Sequence, residues 1–261
     1  MAIASYKDTA EFLHKAEIEK REVIKITADQ PELTVEDAYK IQQELVAIKL
    51  GQGHKIIGPK MGLTSEAKMK QMGVEEPIYG YVFDYMDVTD KGAISLSELI
   101  HPKVEAEIAF VLGRDIEGPN ITTEDVIAAT EYVVPALEII DSRYENFNFT
   151  LTDVIADNAS SSRVIFGKTC TKPEGLELDL VGVTLEINGE IKELGAGAAV
   201  LGHPANAIAM LANMLARKGE KLSAGQVILS GGVTGAVMLS LGDAVTAKLD
   251  GLGDVSFRVV E

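Results

Sequence analysis

Residues 101–116, HPKVEAEIAFVLGRDI, place two glutamates, Glu105 and Glu107, one residue apart inside an apolar run. Along a strand, side chains alternate between faces, so residues i and i+2 share a side. Val104, Ala106, Ile108, Phe110 and Leu112 then face one way. Glu105 and Glu107 face the other, followed there by Ala109 and Val111. Two carboxylates side by side on a face that turns apolar repel each other, unless water screens them or a cation joins them. A third acid, Glu138, stands between Leu137 and Ile139 in a second apolar run, PALEIID. Three carboxylates on apolar strands suit a hard divalent cation, which takes oxygen ligands and keeps positions for water or substrate. A solvated sheet face carrying the same acids is the other reading, and at this point both stay open.

Other residues can serve chemistry nearby. Lys60 lies in IIGPKMG, between a proline and a glycine, where a lysine can reach a substrate carboxylate or be an ordinary surface lysine. VIADNASSSR, residues 154–163, gathers Asp157, Asn158 and three serines. Such a cluster bonds its own backbone in turns or offers hydroxyls and N–H groups to an anion. GAGAAVLG, residues 195–202, follows a hairpin and lacks the spacing of a dinucleotide-binding turn, and SGGVTGAV, residues 230–237, lacks the Gly-Lys-Ser/Thr ending of a phosphate loop. Cys170 and the histidines at 14, 54, 101 and 203 show no metal spacing, and no Gly-x-Ser-x-Gly elbow occurs.

The elements that must position these residues follow from pattern. The first 55 or so residues read as helical, with AEFLHKAEIEKREVIKI apolar at helical spacing. After Pro31, a Thr34–Asp37 pair resembles a capping box at the start of a helix that stops at glycines. KIIGPKMGLTS reads as a Gly/Pro-interrupted loop, and SEAKMKQMG as a short helix closed by Gly73. From about residue 78 strands dominate: IYGYVFDYM, VEAEIAFVLG, EYVVPALEIID, SRVIFG, QVILSGG, VTAKLD and VSFRVVE. VGVTLEINGEIKEL is a hairpin turning at Asn188-Gly189. PANAIAMLANMLARKG is one amphipathic helix with Pro204 at its start and Gly219 after its end. The expectation is an α+β chain: an N-terminal helical portion over 1–75 docked on a mostly β catalytic portion over 76–261, as one continuous unit.

Composition sets the company this chain keeps. It has 261 residues, 24 basic and 40 acidic, for a net charge of −16. That excess argues against nucleic acid or an anionic membrane as partner, and any anionic substrate needs a local positive centre. A single cysteine allows no intrachain disulfide. No signal-like segment and no apolar run of about 18 residues is evident. A cytoplasmic enzyme or binding protein is the default.

Taken in order, KIIGPKMGLTSEAKMKQMGVEEPIYGYVFD, HPKVEAEIAFVLGRDI, PALEIIDSRYENFNFTLTDVIADNASSSR, GAGAAVLGHPANAIAMLAN and ILSGGVTGAV resemble the hydratase/decarboxylase family of catechol meta-cleavage pathways, within the fumarylacetoacetate hydrolase superfamily. The resemblance spans nearly the whole chain. It implies a mixed β-roll, barrel-like core with the helical portion at its N-terminus. It implies a Mg²⁺ or Mn²⁺ site at Glu105, Glu107 and Glu138. It implies that Lys60 lines the substrate site as a catalytic residue, with Ser160, Ile78 and Thr234 as substrate-binding residues.

The family has two branches. One adds water to 2-hydroxypenta-2,4-dienoate; the other removes CO₂ from 2-oxo-3-hexenedioate. Hydratases of this pattern carry an aspartate after the proline that is Pro77 here, where this chain has Ile78. That departure, with MGLTSEAKMKQMGVEEPIYGY and DSRYENFNFTLTDVIADNASSSR, resembles the decarboxylase branch. The resemblance also implies a dicarboxylate substrate, self-association and a complex with the hydratase. Three alternatives accompany it: a hydratase on the same metal site, a C–C bond hydrolase needing a base such as His101, and a metal-stabilised scaffold for a partner enzyme. Arg143 and Arg163 adjoin the site motifs and are expected to pair structurally with nearby acids.

Overall fold

The computed structural model describes residues 5–261, except the side chains of residues 68, 71 and 72. In chain order the main elements are α1 (Tyr6–Glu19), α2 (Val35–Gly51), β1 (Ile56–Gly62), α3 (Glu66–Met72), β2 (Ile78–Phe83), β3 (Ala93–Ser95) and β4 (Lys103–Leu112). Next come α4 (Thr123–Ala129), β5 (Thr130–Ile140), α5 (Leu151–Ala156), β6 (Ser161–Phe166), β7 (Gly182–Ile187) and β8 (Glu190–Ala196). The chain ends with α6 (Pro204–Ala216), β9 (Val227–Leu229), β10 (Val237–Met238), β11 (Ala244–Leu249) and β12 (Gly253–Val260).

A seven-stranded sheet runs β2-β1-β9-β4-β5-β6, with β10 added to the start of β4. A five-stranded sheet runs β3-β12-β11-β7-β8. Alternation along β4 separates two cores, as the pattern requires. Val104, Ala106, Ile108, Phe110 and Leu112 join the large core shared with the helices and the second sheet. Ala109, with Val134, Ala136, Val164 and Leu229, belongs to a small second core on the other face, capped by Val82, Phe83 and Met86. That face carries Glu105 and Glu107. The β-roll expected from the resemblance is thus present, with the acids on its inner face.

Local signals explain several boundaries. Thr34 Oγ1 accepts from the Asp37 N–H at 3.1 Å while Thr34 N–H donates to Asp37 Oδ2 at 3.1 Å, completing the capping box of α2. Asn188 and Gly189 both have positive φ, 56° and 80°, as a type I′ turn between β7 and β8 demands. Pro204 occupies the first turn of α6.

Two expectations change. The first helix stops at Glu19 rather than running on through residue 26, with Lys20 in the left-handed region at φ 54°. Val23 instead docks on the loop after β5: its N–H donates to the Arg143 carbonyl at 2.8 Å and its carbonyl accepts from Glu145 at 3.0 Å. Those long-range bonds outweigh a helical pattern, since propensity is a weak prior against tertiary pairing. Residues 56–62, read as a loop, form β1, so the first 75 residues lend a strand to the main sheet. Gly58 makes this possible, because a Cβ there would stand 1.9 Å from the Val227 carbonyl oxygen.

The stretch Gly197–Ala216, which includes α6, is long and apolar enough to span a membrane by length and composition. It packs as a core element, with Ala205, Ala207, Ile208, Leu211, Ala212 and Leu215 buried.

Candidate active site

β4 and β5 are antiparallel neighbours in register Glu105↔Glu138 and Glu107↔Ala136. Cross-strand partners share a face, so the third acid lands directly beside the first two. One carboxylate oxygen from each of Glu105, Glu107 and Glu138 lies within 4.8 Å of the others. All three acids are buried. The solvated-face reading does not describe them.

The fourth member arrives from β1. Lys60 pairs with Leu229 of β9, and Leu229 with Ala109 of β4, which carries its side chain to the acidic face. Its Nζ stands 2.9 Å from Glu138 Oε1, with both side chains almost fully buried at 3% and 1% exposure. The same ammonium donates to the Ala159 carbonyl at 3.0 Å. Against Glu138 it forms a buried ion pair, while Glu138 Oε2 and Glu107 Oε1 are buried on the same acidic face. The second Glu107 oxygen, Oε2, accepts from the Gly231 N–H at 2.8 Å.

Electrostatics follow from this crowding. Burial pushes the Glu107 carboxyl well above its ordinary range, and Glu138 adds to the rise more than Lys60 offsets it. Burial likewise raises Glu138, against the pull of Lys60. Three buried acids set this closely concentrate negative charge in a water-poor site, which favours a cation among them. Carboxylate oxygens from three buried acids converging within 4.8 Å are the ligand set of a hard divalent cation. The residues present therefore fit Mg²⁺ or Mn²⁺.

The remaining sequence-derived candidates sort by position. Ile78 pairs with Gly62, two residues along from Lys60, and so lies on the Lys60 face as a buried apolar side chain. Ser160 is buried with its hydroxyl unpartnered, one residue from the carbonyl that holds Lys60. Thr234 is buried, and its Oγ1 accepts from the Ala106 N–H, between the two glutamates of β4, at 3.1 Å. The structure thus brings Lys60, Ile78, Ser160 and Thr234 to the neighbourhood of the acids.

Arg143 and Arg163 do not join them. Arg143 is wholly engaged with Asp157, through its Nε and backbone N–H to the carboxylate and through Nη2 to the carbonyl, and its Nη1 donates to the Asp141 carbonyl at 2.7 Å. Arg163 bonds the Ser162 carbonyl at 3.0 Å and approaches Glu98 at 3.3 Å. His101, the candidate base, is held by Glu22 at 2.6 Å and packs in a tilted arrangement against Phe147.

Sequence reading missed the backbone contributors. Gly231 has φ +104°, and a Cβ there would meet Thr64 Oγ1 at 2.1 Å, so only glycine presents its N–H to Glu107. The glycine pair of SGGVTGAV was the available signal. The Ala159 carbonyl carries no side-chain signature at all.

Comparison with known proteins agrees with this geometry. The family model described as fumarylacetoacetate (FAA) hydrolase, C-terminal, matches residues 65–260. The chain is 53% identical over 251 residues to a protein of Pseudomonas putida named 4-oxalocrotonate decarboxylase, covering 96% of this chain and 95% of that one. It is 42% identical over 249 residues to the 2-keto-4-pentenoate hydratase of Paraburkholderia xenovorans LB400, covering 95% and 93%. A solved structure of 4-oxalocrotonate decarboxylase from Pseudomonas putida G7, complexed with magnesium and adipate, matches with a TM-score of 0.95 at 51% identity, over 98% of this chain and 97% of that chain. With a family model spanning most of its length and relatives aligned nearly end to end, the chain belongs to the fumarylacetoacetate hydrolase family.

Proposed function

We propose that this protein is a divalent-metal-dependent decarboxylase of 2-oxo-3-hexenedioate, releasing CO₂ and 2-hydroxypenta-2,4-dienoate. The observation that carries the reading is the buried Glu105/Glu107/Glu138 cluster with Lys60 ion-paired to Glu138. It stands in a chain more than half identical to a named decarboxylase.

The reaction breaks the C5–C6 bond of the substrate. The electron pair left at C5 delocalises through the C3–C4 double bond to the 2-oxo oxygen. Glu105, Glu107 and Glu138 would hold a divalent ion, which when bound would supply Lewis-acid stabilisation of developing negative charge. Lys60 brings a fixed ammonium to the same face, where it binds a substrate carboxylate or the developing oxyanion. The Ser160 hydroxyl, buried without a partner, is available to a substrate oxygen. Thr234 fixes the strand between two ligands and borders the substrate. Ile78 gives the site an apolar wall that holds no acid or base for adding water.

A hydratase on the same site is the second reading, favoured by the 42% identity to a named hydratase. The products separate the two. CO₂ release from 2-oxo-3-hexenedioate with Mg²⁺, abolished by chelation and restored on adding the ion, supports decarboxylation. Metal-dependent consumption of 2-hydroxypenta-2,4-dienoate without CO₂ release replaces it with hydration. No metal-dependent turnover of either compound discards both readings and leaves the C–C bond hydrolase and scaffold alternatives.

Assembly with a hydratase acting on the released dienoate, self-association and a cytoplasmic setting belong to the same proposal. Co-elution of the two purified enzymes on size exclusion, and the mass of each species, test the assembly. We also propose that 1–75 and 76–261 act as one unit, because β1 is an internal strand of the main sheet.

A further inference from the structure

We propose that Asn158 is the positioning residue for Lys60, an inference that rests on the role given to Lys60 above. Asn158, Ala159 and Ser160 are three successive non-glycine residues with positive φ, at 50°, 52° and 57°. The Cβ disfavours this region for each such residue, so a run of three persists only where its surroundings enforce it.

The enforcement is on the page. The Asn158 side chain bonds the backbone of β2 twice: Oδ1 accepts from Tyr81 N–H at 2.8 Å, and Nδ2 donates to the Tyr81 carbonyl at 2.8 Å. In doing so it imitates a strand neighbour. β2 and β6 are the two ends of the seven-stranded order, and Asn158 lies just before β6. The amide therefore ties one end of the sheet to the other. On the main-chain side, the Asn158 carbonyl packs on Gly80, where a Cβ would stand 2.5 Å from its oxygen. Gly80 is the register partner of Lys60.

The next residue in the turn is Ala159, whose carbonyl holds the Lys60 ammonium at 3.0 Å while that ammonium lies 2.9 Å from Glu138. The line of force runs from Tyr81 through the Asn158 amide and the strained turn to Lys60 Nζ. The acids lie on β4 and β5, whereas both polar atoms of the Asn158 side chain are spent on the Tyr81 backbone. Freeing the turn thus releases the ammonium and leaves the acids in place.

The test compares full-length Mg²⁺-loaded wild type, Asn158→Ala and Lys60→Met in decarboxylation of 2-oxo-3-hexenedioate, with Mg²⁺ affinity measured by calorimetry. Misplacing a reacting group by about 1 Å costs on the order of 10²-fold. Asn158→Ala is expected to lose kcat on that order, with KM moving only as it does in Lys60→Met and with Mg²⁺ affinity unchanged. A general structural defect moves all three together. Wild-type kcat in Asn158→Ala, or a parallel loss of Mg²⁺ affinity, overturns the inference. Asn158→Asp keeps the shape and the acceptor for Tyr81 N–H but loses the donor, so it carries the same test if the alanine variant does not fold. Wild-type kcat in Lys60→Met instead defeats the reading of Lys60 itself, and that single variant shows it separately.

Discussion

Lys60 Nζ lies 2.9 Å from Glu138 Oε1, and both groups are almost fully buried. Removing one partner of a buried ion pair typically costs about 3–5 kcal/mol, because the other charge is left uncompensated. Here the roles are unequal. Glu138 has two acidic neighbours, and Lys60 is the ammonium beside them. Glu138→Gln should abolish turnover, while Lys60→Met should lower kcat and also lower the melting temperature of the metal-free protein. Added Mg²⁺ should recover much of the lost melting temperature in Lys60→Met, because a cation again balances the acids. Thermal unfolding of both variants with and without Mg²⁺ checks this. An equal deficit in Lys60→Met at saturating Mg²⁺ would show that charge balance is not what Lys60 provides.

Metal should stabilise the wild type through the same acids. A ligand at about 100 times its Kd contributes about 2.7 kcal/mol, a melting shift of several degrees for a chain of this size. Glu107→Gln removes one acid from an overcrowded site. It should leave the metal-free protein as stable as wild type or more so, and should erase most of the Mg²⁺-dependent shift. A full shift in Glu107→Gln would remove that residue from the ligand set.

Gly231→Ala is a backbone experiment on a ligand. The new Cβ meets Thr64 Oγ1 at 2.1 Å, so the loop must move and with it the N–H that holds Glu107 Oε2. Losing a charge-assisted hydrogen bond of this kind costs about 1.5–3 kcal/mol. Mg²⁺ affinity is therefore expected to fall by roughly 10- to 100-fold, as a calorimetric titration would read. Unaltered affinity would mean that the bond does not orient the ligand.

Acid stability has a distinct source, far from the metal ligands. Burial alone would raise the Glu17 carboxyl, but the Lys49 ammonium at 2.6 Å, the Arg143 charge and the Tyr85 hydroxyl outweigh it and hold it at about 2, below its ordinary 4.5. A carboxyl lowered in the folded state contributes fully above pH 4.5 and loses its contribution as pH falls toward 2. Glu17→Gln, which strands a buried Lys49, should cost about 3 kcal/mol near neutrality. The gap to wild type should narrow on acidification through that window. Melting curves from pH 7 to pH 2.5 test it; a constant gap would assign the loss to packing.

Ile78→Asp places a carboxylate on the Lys60 face of a buried strand. Decarboxylation of 2-oxo-3-hexenedioate should fall, since the new charge repels a dicarboxylate. An unchanged kcat/KM would remove Ile78 from the account of specificity.

The alternating pattern of VEAEIAF settled which face of β4 carries acid, because side-chain period in a strand is fixed by geometry. Asn188-Gly189, the Thr34–Asp37 cap and Pro204 marked their turn and helix starts for equally local reasons. The family resemblance supplied the grouping of Glu138 and Lys60 with Glu105 and Glu107, whereas pairing across β4, β5, β9 and β1 is what physically assembles them. No local rule states that register, since it depends on residues far apart in the chain. The same holds for the strand at 56–62, whose Gly58 and Pro59 read locally as a loop until β9 closes against them. It holds again for Val23, drawn out of a helical pattern by the Arg143 carbonyl. Backbone groups such as the Gly231 N–H and the Ala159 carbonyl were invisible beforehand, because every residue has them and only the tertiary fold decides where they point.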